Sequence, residues 1–127
     1  AYRSYERQAV LYHCDPKSLY VAPPGASEHQ TGLALDVSCP FAGMELTERF
    51  ADSPEGRCLI RHAPLYGFIL RYPKGKEAIT GYAWEPWHIR YVTKSLAIYL
   101  DTAGLTLEEY HALSAVQHAS TAPSAVP

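Results

Sequence analysis

No stretch of this chain approaches the roughly 18 consecutive apolar residues that a membrane-spanning helix needs. Charge of one sign is missing too. Eleven Lys and Arg stand against thirteen Asp and Glu, mixed along the chain, for a formal net charge of −2. That excludes the basic footprint of a nucleic-acid binder and the polybasic patch of a membrane-surface protein. Cysteine is scarce: Cys14, Cys39 and Cys58 form an odd set without CxxC spacing, which argues against a Cys-rich structural zinc site. One disulfide with a spare thiol and three buried, reduced cysteines stand as equal alternatives. Neither a leader-like segment nor an internal repeat is present. The chain opens on Ala1-Tyr2-Arg3-Ser4, already the start of a helix, so a piece of a longer protein lacking part of its N-terminal region is expected.

What is present is enough for one folded domain. The 127 residues are 47% hydrophobic and only 19% charged, which suits a single small core and not a disordered chain. Ser4 with Glu6 predicts a helix to about His13 or Cys14, amphipathic through Val10 and Leu11. Pro23-Pro24-Gly25 marks a rigid loop. Leu33 to Ser38 predicts a strand with Leu33, Leu35 and Val37 on one face and Ala34 and Asp36 on the other.

Thr47 caps a short helix within the connection that follows. Ser53-Pro54-Glu55 starts a helix that ends before Gly67, with Pro64 kinking its last turn. Strands are predicted over Phe68–Tyr72, Ile79–Ala83 and Trp87–Val92. Thr93 to Thr102 predicts a helix stopped by Gly104, and Thr106-Leu107-Glu108-Glu109 is a capping box for another. The Ala/Ser/Thr/Pro-rich end reads as a tail, giving a domain over 1–119 and a flexible segment over 120–127. This order of elements predicts an α+β fold on a small antiparallel sheet flanked by helices.

Two short segments carry the chemistry. Ser27-Glu28-His29-Gln30-Thr31-Gly32-Leu33-Ala34-Leu35-Asp36 is answered about fifty residues later by Glu85-Pro86-Trp87-His88. His29, Asp36 and His88 can close on a divalent metal and leave a fourth position open, with Glu85 free to handle protons. Gly32 must turn the chain for His29 and Asp36 to meet. Pro86 disfavours a helix at Glu85, so a bent loop has to aim Glu85 and His88 at one point. Asp36 is the most telling residue, because a carboxylate inside an apolar strand needs a partner if buried. The plain alternative makes His29 a surface residue and Asp36 a turn residue. The remaining histidines, His13, His62, His111 and His118, have no partner at ligand spacing.

SxHxxGLAxD followed by ExWH resembles the VanY-type D-alanyl-D-alanine carboxypeptidases, with the related L,D-carboxypeptidases and VanX-type dipeptidases. The resemblance extends over Tyr2-Arg3-Ser4-Tyr5 and Gln8, over Tyr66 to Pro73, and over Thr80-Gly81-Tyr82, covering roughly the first 100 residues. It implies a zinc peptidase with His29, Asp36 and His88 as Zn2+ ligands and Glu85 as general base and acid. Arg3 then steadies the developing oxyanion. Ser27 and Gln8 are implied to hold the substrate's terminal carboxylate or backbone. Trp84 and Trp87, beside the acid, are read as pocket walls, with core packing an equal account; Tyr82, Arg71 and Arg90 are read as sheet supports.

The implied substrate is a peptidoglycan stem peptide or precursor ending in D-Ala, with D,D cleavage favoured over L,D. An extracytoplasmic or envelope-associated place in a bacterium goes with it. Pro64 and Cys58 depart from the pattern. Two other classes compete. A non-haem iron oxygenase also uses two histidines and a carboxylate, and a cell-wall-binding module could keep the fold without catalysis. Glu85 argues against both.

Overall fold

A computed structural model describes residues 1–120, and the side-chain surroundings through residue 116. Helix α1 (Tyr5–Cys14) begins where its cap predicts, with the Arg7 amide donating to Ser4 Oγ at 3.3 Å. Its apolar residues dock it only in part, Leu11 being half-buried. Val10 is largely exposed, and the residue α1 buries is Gln8, whose Nε2 donates to the Ala22 carbonyl at 2.6 Å.

A 3₁₀ turn over Glu28–Thr31 ends at Gly32 in the left-handed region, φ 75°. That is the turn required between the two halves of the first motif, and Gly adopts it without steric cost. Strand β1 (Ala34–Asp36) follows, then 3₁₀ turns at Pro40–Ala42 and Glu48–Asp52. Thr47 precedes the latter turn without the side-chain capping bond expected of it.

Helix α2 (Pro54–His62) is capped by Ser53 Oγ, which accepts from the Gly56 amide at 2.8 Å. Gly56 is needed there: a Cβ would stand 1.9 Å from the Phe50 carbonyl oxygen. Pro64 converts the end of the helix into a 3₁₀ turn, Ala63–Tyr66, because it offers no amide to an α-helical ladder. Strand β2 is Phe68–Leu70.

The strand expected at Ile79–Ala83 does not form. Glu77–Thr80 makes instead one helical turn, α3, closed by Gly81 at φ 77°. β-branched Ile79 and Thr80 favour a strand locally, but an early acid and a glycine stop favour the turn, and among the described residues no neighbouring strand pairs with this segment to outweigh them. The chain past it is extended yet anchored: Ala83 donates to the Leu19 carbonyl and Glu85 to that of Tyr72, each at 3.1 Å.

Strand β3 (His88–Tyr91), helix α4 (Lys94–Ala103, ended by Gly104) and helix α5 (Leu107–Ser120) complete the fold. The capping box of α5 is reciprocal. Glu109 donates its amide to Thr106 Oγ1 at 3.2 Å, and Thr106 returns its amide to Glu109 Oε2 at 2.8 Å. The expected tail falls largely outside the described residues, and Ser120 still belongs to α5.

The sheet is three-stranded and antiparallel in the order β1-β3-β2. Its register pairs Ala34 with Arg90, Leu35 with Ile89, and Asp36 with His88. Residues directly opposite share a face, so the even-numbered positions of β1 put Asp36 and His88 together while Leu35 and Ile89 point the other way. Cys39, Ala42, Phe50 and Trp87 form one core cluster. Ile69, Ala97 and Leu100 form a second beneath α4 and α5. All three cysteines are free thiols; Cys39 is buried in the first cluster, while Cys14 and Cys58 are exposed.

Candidate active site

The register of β1 on β3 brings Asp36 against His88, and the 3₁₀ turn swings His29 over to meet them. His88 Nδ1 lies 3.0 Å from Asp36 Oδ1, and His29 Nε2 lies 3.1 Å from Asp36 Oδ2. One carboxylate is thus gripped by two imidazoles whose rings meet edge to face at 4.9 Å. His29 Nδ1 lies 2.8 Å from the Ala1 carbonyl, which can only accept, so Nδ1 carries a proton and Nε2 is the nitrogen turned toward Asp36. Ligand atoms of the three residues lie within 4.8 Å of one another. Tetrahedral zinc with bonds of about 2.0–2.1 Å wants donors about 3.3 Å apart, so the set fits such an ion with small adjustments, and its chemistry is zinc's preferred imidazole–carboxylate mixture.

Glu85 reaches this group from the loop before β3. Its amide is held by Tyr72, its carbonyl accepts from the His88 amide at 3.2 Å, and its Oε2 lies 3.6 Å from His88 Nδ1. Burial raises the Glu85 carboxyl and outweighs the opposing pull of His88; the Asp36 charge adds to it, Arg3 works against it, and the group rests at about 7. Asp36 moves oppositely: burial would raise it, but its bonds with His29 and His88 hold it well below the usual carboxylate range. For His88, burial alone would lower the ring, yet Asp36 and Glu28 stabilise the imidazolium and push it up to about 9.

Arg3 stands at the rim. Its guanidinium donates to Gln8 Oε1 at 2.8 Å and to Asp36 Oδ2 at 3.5 Å. These groups open on a cavity of about 560 Å³ lined by Arg3, Ser27, His29, Glu85, Trp87 and Tyr82, among others. Ser27 is buried and makes no capping bond with its hydroxyl, which leaves it to the cavity. Gln8 is fully buried behind Arg3 and is not among the lining residues. Trp87 is both wall and core. Trp84 is no part of the lining; the Lys74 ammonium sits 4.6 Å from its ring centroid.

Sequence reasoning missed two residues. Glu28 accepts from Arg71 Nε at 2.7 Å and sits 3.5 Å from Arg90. Tyr72 stacks at 5.1 Å on His88. Tyr82, read as a sheet support, lines the cavity and packs on Tyr72. A signal for Glu28 did exist: a carboxylate next to His29 in a tight turn is held close to whatever His29 binds.

The chain is similar to known proteins in both sequence and fold. The family model described as VanY, D-alanyl-D-alanine carboxypeptidase, matches residues 1–94. The D-alanyl-D-alanine carboxypeptidase of Enterococcus faecium is 42% identical over 109 residues, covering 86% of this chain and 34% of that protein. The LdcB LD-carboxypeptidase structure is 48% identical and superposes with a TM-score of 0.80, over 87% of this chain and 55% of that one. A variant of the vancomycin-resistance D,D-pentapeptidase VanY, solved with Zn(II), is 34% identical with a TM-score of 0.66, over 86% of this chain and 67% of that one. The chain spans between 32% and 50% of the length of the curated relatives it matches. With the model matched across both motifs and the same fold in these relatives, the chain belongs to the VanY family of D-alanyl-D-alanine carboxypeptidases.

Proposed function

We propose that these residues form the catalytic domain, over about 1–119, of a zinc carboxypeptidase that removes the C-terminal D-Ala from peptidoglycan stem peptides or their precursors. The observation that carries the reading is the convergence of His29, Asp36 and His88 on one point, with the Glu85 carboxylate 3.6 Å from His88 Nδ1. His29, Asp36 and His88 would hold the ion. Bound there, zinc supplies a Lewis acid and a water whose pKa falls to about 7.

Glu85 accepts the proton of the attacking water and hands it to the amine of the departing D-Ala. A carboxyl resting at about 7 suits both halves of that task near neutral pH. Arg3, steadied by Gln8, faces the carbonyl oxygen on which negative charge builds during attack. The Ser27 hydroxyl takes the substrate's terminal carboxylate or backbone, and Trp87 walls the cavity. The iron-oxygenase alternative leaves Glu85 without a task, as does a binding module. The substrate class puts the place of action at the bacterial envelope.

D,D cleavage is supported by the family description and by the enterococcal relative. A second reading, L,D cleavage of tetrapeptide stems, is supported by the higher sequence identity with the LD-carboxypeptidase structures, 48% and 45%, against 34% and 37% for the D,D-pentapeptidase and D,D-dipeptidase structures. Mass spectrometry of synthetic stem penta- and tetrapeptides after incubation with the zinc-loaded protein separates them. Loss of one alanine from the pentapeptide alone supports D,D cleavage, and loss from the tetrapeptide supports L,D. Intact peptides in both cases would refute the carboxypeptidase reading.

A further inference from the structure

Beside the three converging side chains lies a polar arrangement that the proposed reaction does not use. Two buried atoms there have no hydrogen-bond partner: His88 Nε2 and Glu28 Oε2. They face each other at 3.8 Å. One is a ring nitrogen that can carry a proton, the other a carboxylate oxygen that can only accept, so each is the missing partner of the other. Buried polar groups are rarely left single, because each orphan forfeits its interaction with water.

Glu28 is itself firmly held. Its Oε1 accepts from Arg71 Nε at 2.7 Å, and Arg90 Nη1 stands 3.5 Å from Oε2. Arg71 is fixed in turn by Glu108 of α5, through Nη1 at 3.1 Å and Nη2 at 2.5 Å. Its guanidinium lies 4.9 Å from the ring centroid of Tyr72, the same ring that stacks on His88. A rigid chain thus runs from α5 through Arg71 to a carboxylate aimed at the back of the His88 imidazole.

We propose that Glu28 is a positioning residue for His88: its Oε2 accepts the Nε2 proton, fixes the ring, and leaves the Nδ1 lone pair directed at Asp36 and the ion. The inference rests on the zinc reading given above. It matches the treatment of His29, where the Ala1 carbonyl holds the Nδ1 proton and frees Nε2. Hydrogen bonds of this kind orient an imidazole ligand, and their loss typically costs about 10- to 100-fold in metal affinity. A glutamine at position 28 cannot substitute. It has one oxygen, whereas Arg71 Nε and His88 Nε2 need one acceptor each.

The test measures zinc affinity by competition with a chromophoric chelator, with folding followed by circular dichroism. Glu28→Gln is expected to weaken zinc about 10- to 100-fold. Glu108→Gln loosens Arg71 from the other side without touching His88, and is expected to leave zinc affinity within about twofold. Equal losses in the two variants would overturn the proposal, since the effect would then be general loosening of the network. A spectroscopic arm is independent of activity. Nitrogen-15 spectra of the zinc-loaded parent are expected to show the His88 proton on Nε2, with a shift that collapses in Glu28→Gln. A proton found on Nδ1 instead would refute both the role of Glu28 and ligation through Nδ1, whereas an Nε2 signal that is the same in Glu28→Gln as in the parent would refute the role of Glu28 alone and leave the zinc site intact. A parent protein that binds no zinc would refute both readings together.

Discussion

Gln8 and Arg3 act as one unit. The fully buried amide of Gln8 donates to the Ala22 carbonyl at 2.6 Å and accepts from Arg3 Nη1 at 2.8 Å, so a helix position that looks solvent-facing in sequence becomes the mount for a rim arginine. The fork of a guanidinium reaches Gln8 and Asp36 together, which a single ammonium cannot do. Arg3→Lys should therefore lower kcat by about tenfold or more, on the scale of losing a charged hydrogen bond, with zinc content unchanged. Steady-state kinetics beside metal analysis checks this, and an unaltered kcat would remove Arg3 from the reaction.

Substituting the buried amide tests the mount itself. Gln8→Leu orphans the Ala22 carbonyl and should cost about 1–3 kcal/mol of folding stability, read by urea denaturation. Its kcat should fall in the same direction as that of Arg3→Lys. A variant as stable and as active as the parent contradicts the arrangement.

Glu85→Gln keeps the shape of the side chain and removes its ability to take a proton. Turnover should drop at least ~10²-fold, the usual scale for a general base, with stoichiometric zinc retained. In the parent, kcat/KM should rise with pH on a limb lying above the ordinary glutamate value of 4.5, because burial raises this carboxyl and it must be ionised to act. Residual activity in the variant should lack that limb.

Acid and base loosen the metal-free protein through different groups. Glu28 is raised by burial but brought down further by His88, Arg71 and Arg90, to about 2 against an ordinary 4.5. Asp36 lies below its ordinary 3.8. Their stabilisation is present above about pH 4.5 and is lost as the pH falls toward 2. Glu85 and His88 are held high, at about 7 against 4.5 and about 9 against 6.5. What they contribute is complete below their unfolded values and drains as the pH climbs through 7 and then 9. In excess chelator, Tm should be highest near pH 4.5 and fall toward both ends. A Tm that climbs steadily toward pH 9 would contradict these charge assignments.

Much of the site was legible because its signals are local or periodic. Strand alternation placed Asp36 opposite Leu35 and Val37, and antiparallel pairing then set it against His88. Pro86 and Gly32 announced the two bends that aim Glu85 and His29. The illegible parts depend on contacts far apart in sequence. Nothing near Gln8 says that Ala22 will need a donor, and nothing near Glu28 says that Arg71, 43 residues on, will fix it. The failed strand at Ile79–Ala83 has the opposite cause: local β-branching was strong, but Gly81 ended a helical turn first.

The most direct test of the account is a zinc-edge anomalous difference map from crystals of the zinc-loaded protein. One peak is expected, within about 2.0–2.2 Å of His29 Nε2, an Asp36 oxygen and His88 Nδ1, with Glu85 beside it and uncoordinated. His88→Ala crystals grown the same way should lose the peak. An active protein whose anomalous density lies away from these three side chains, or is absent altogether, would contradict it.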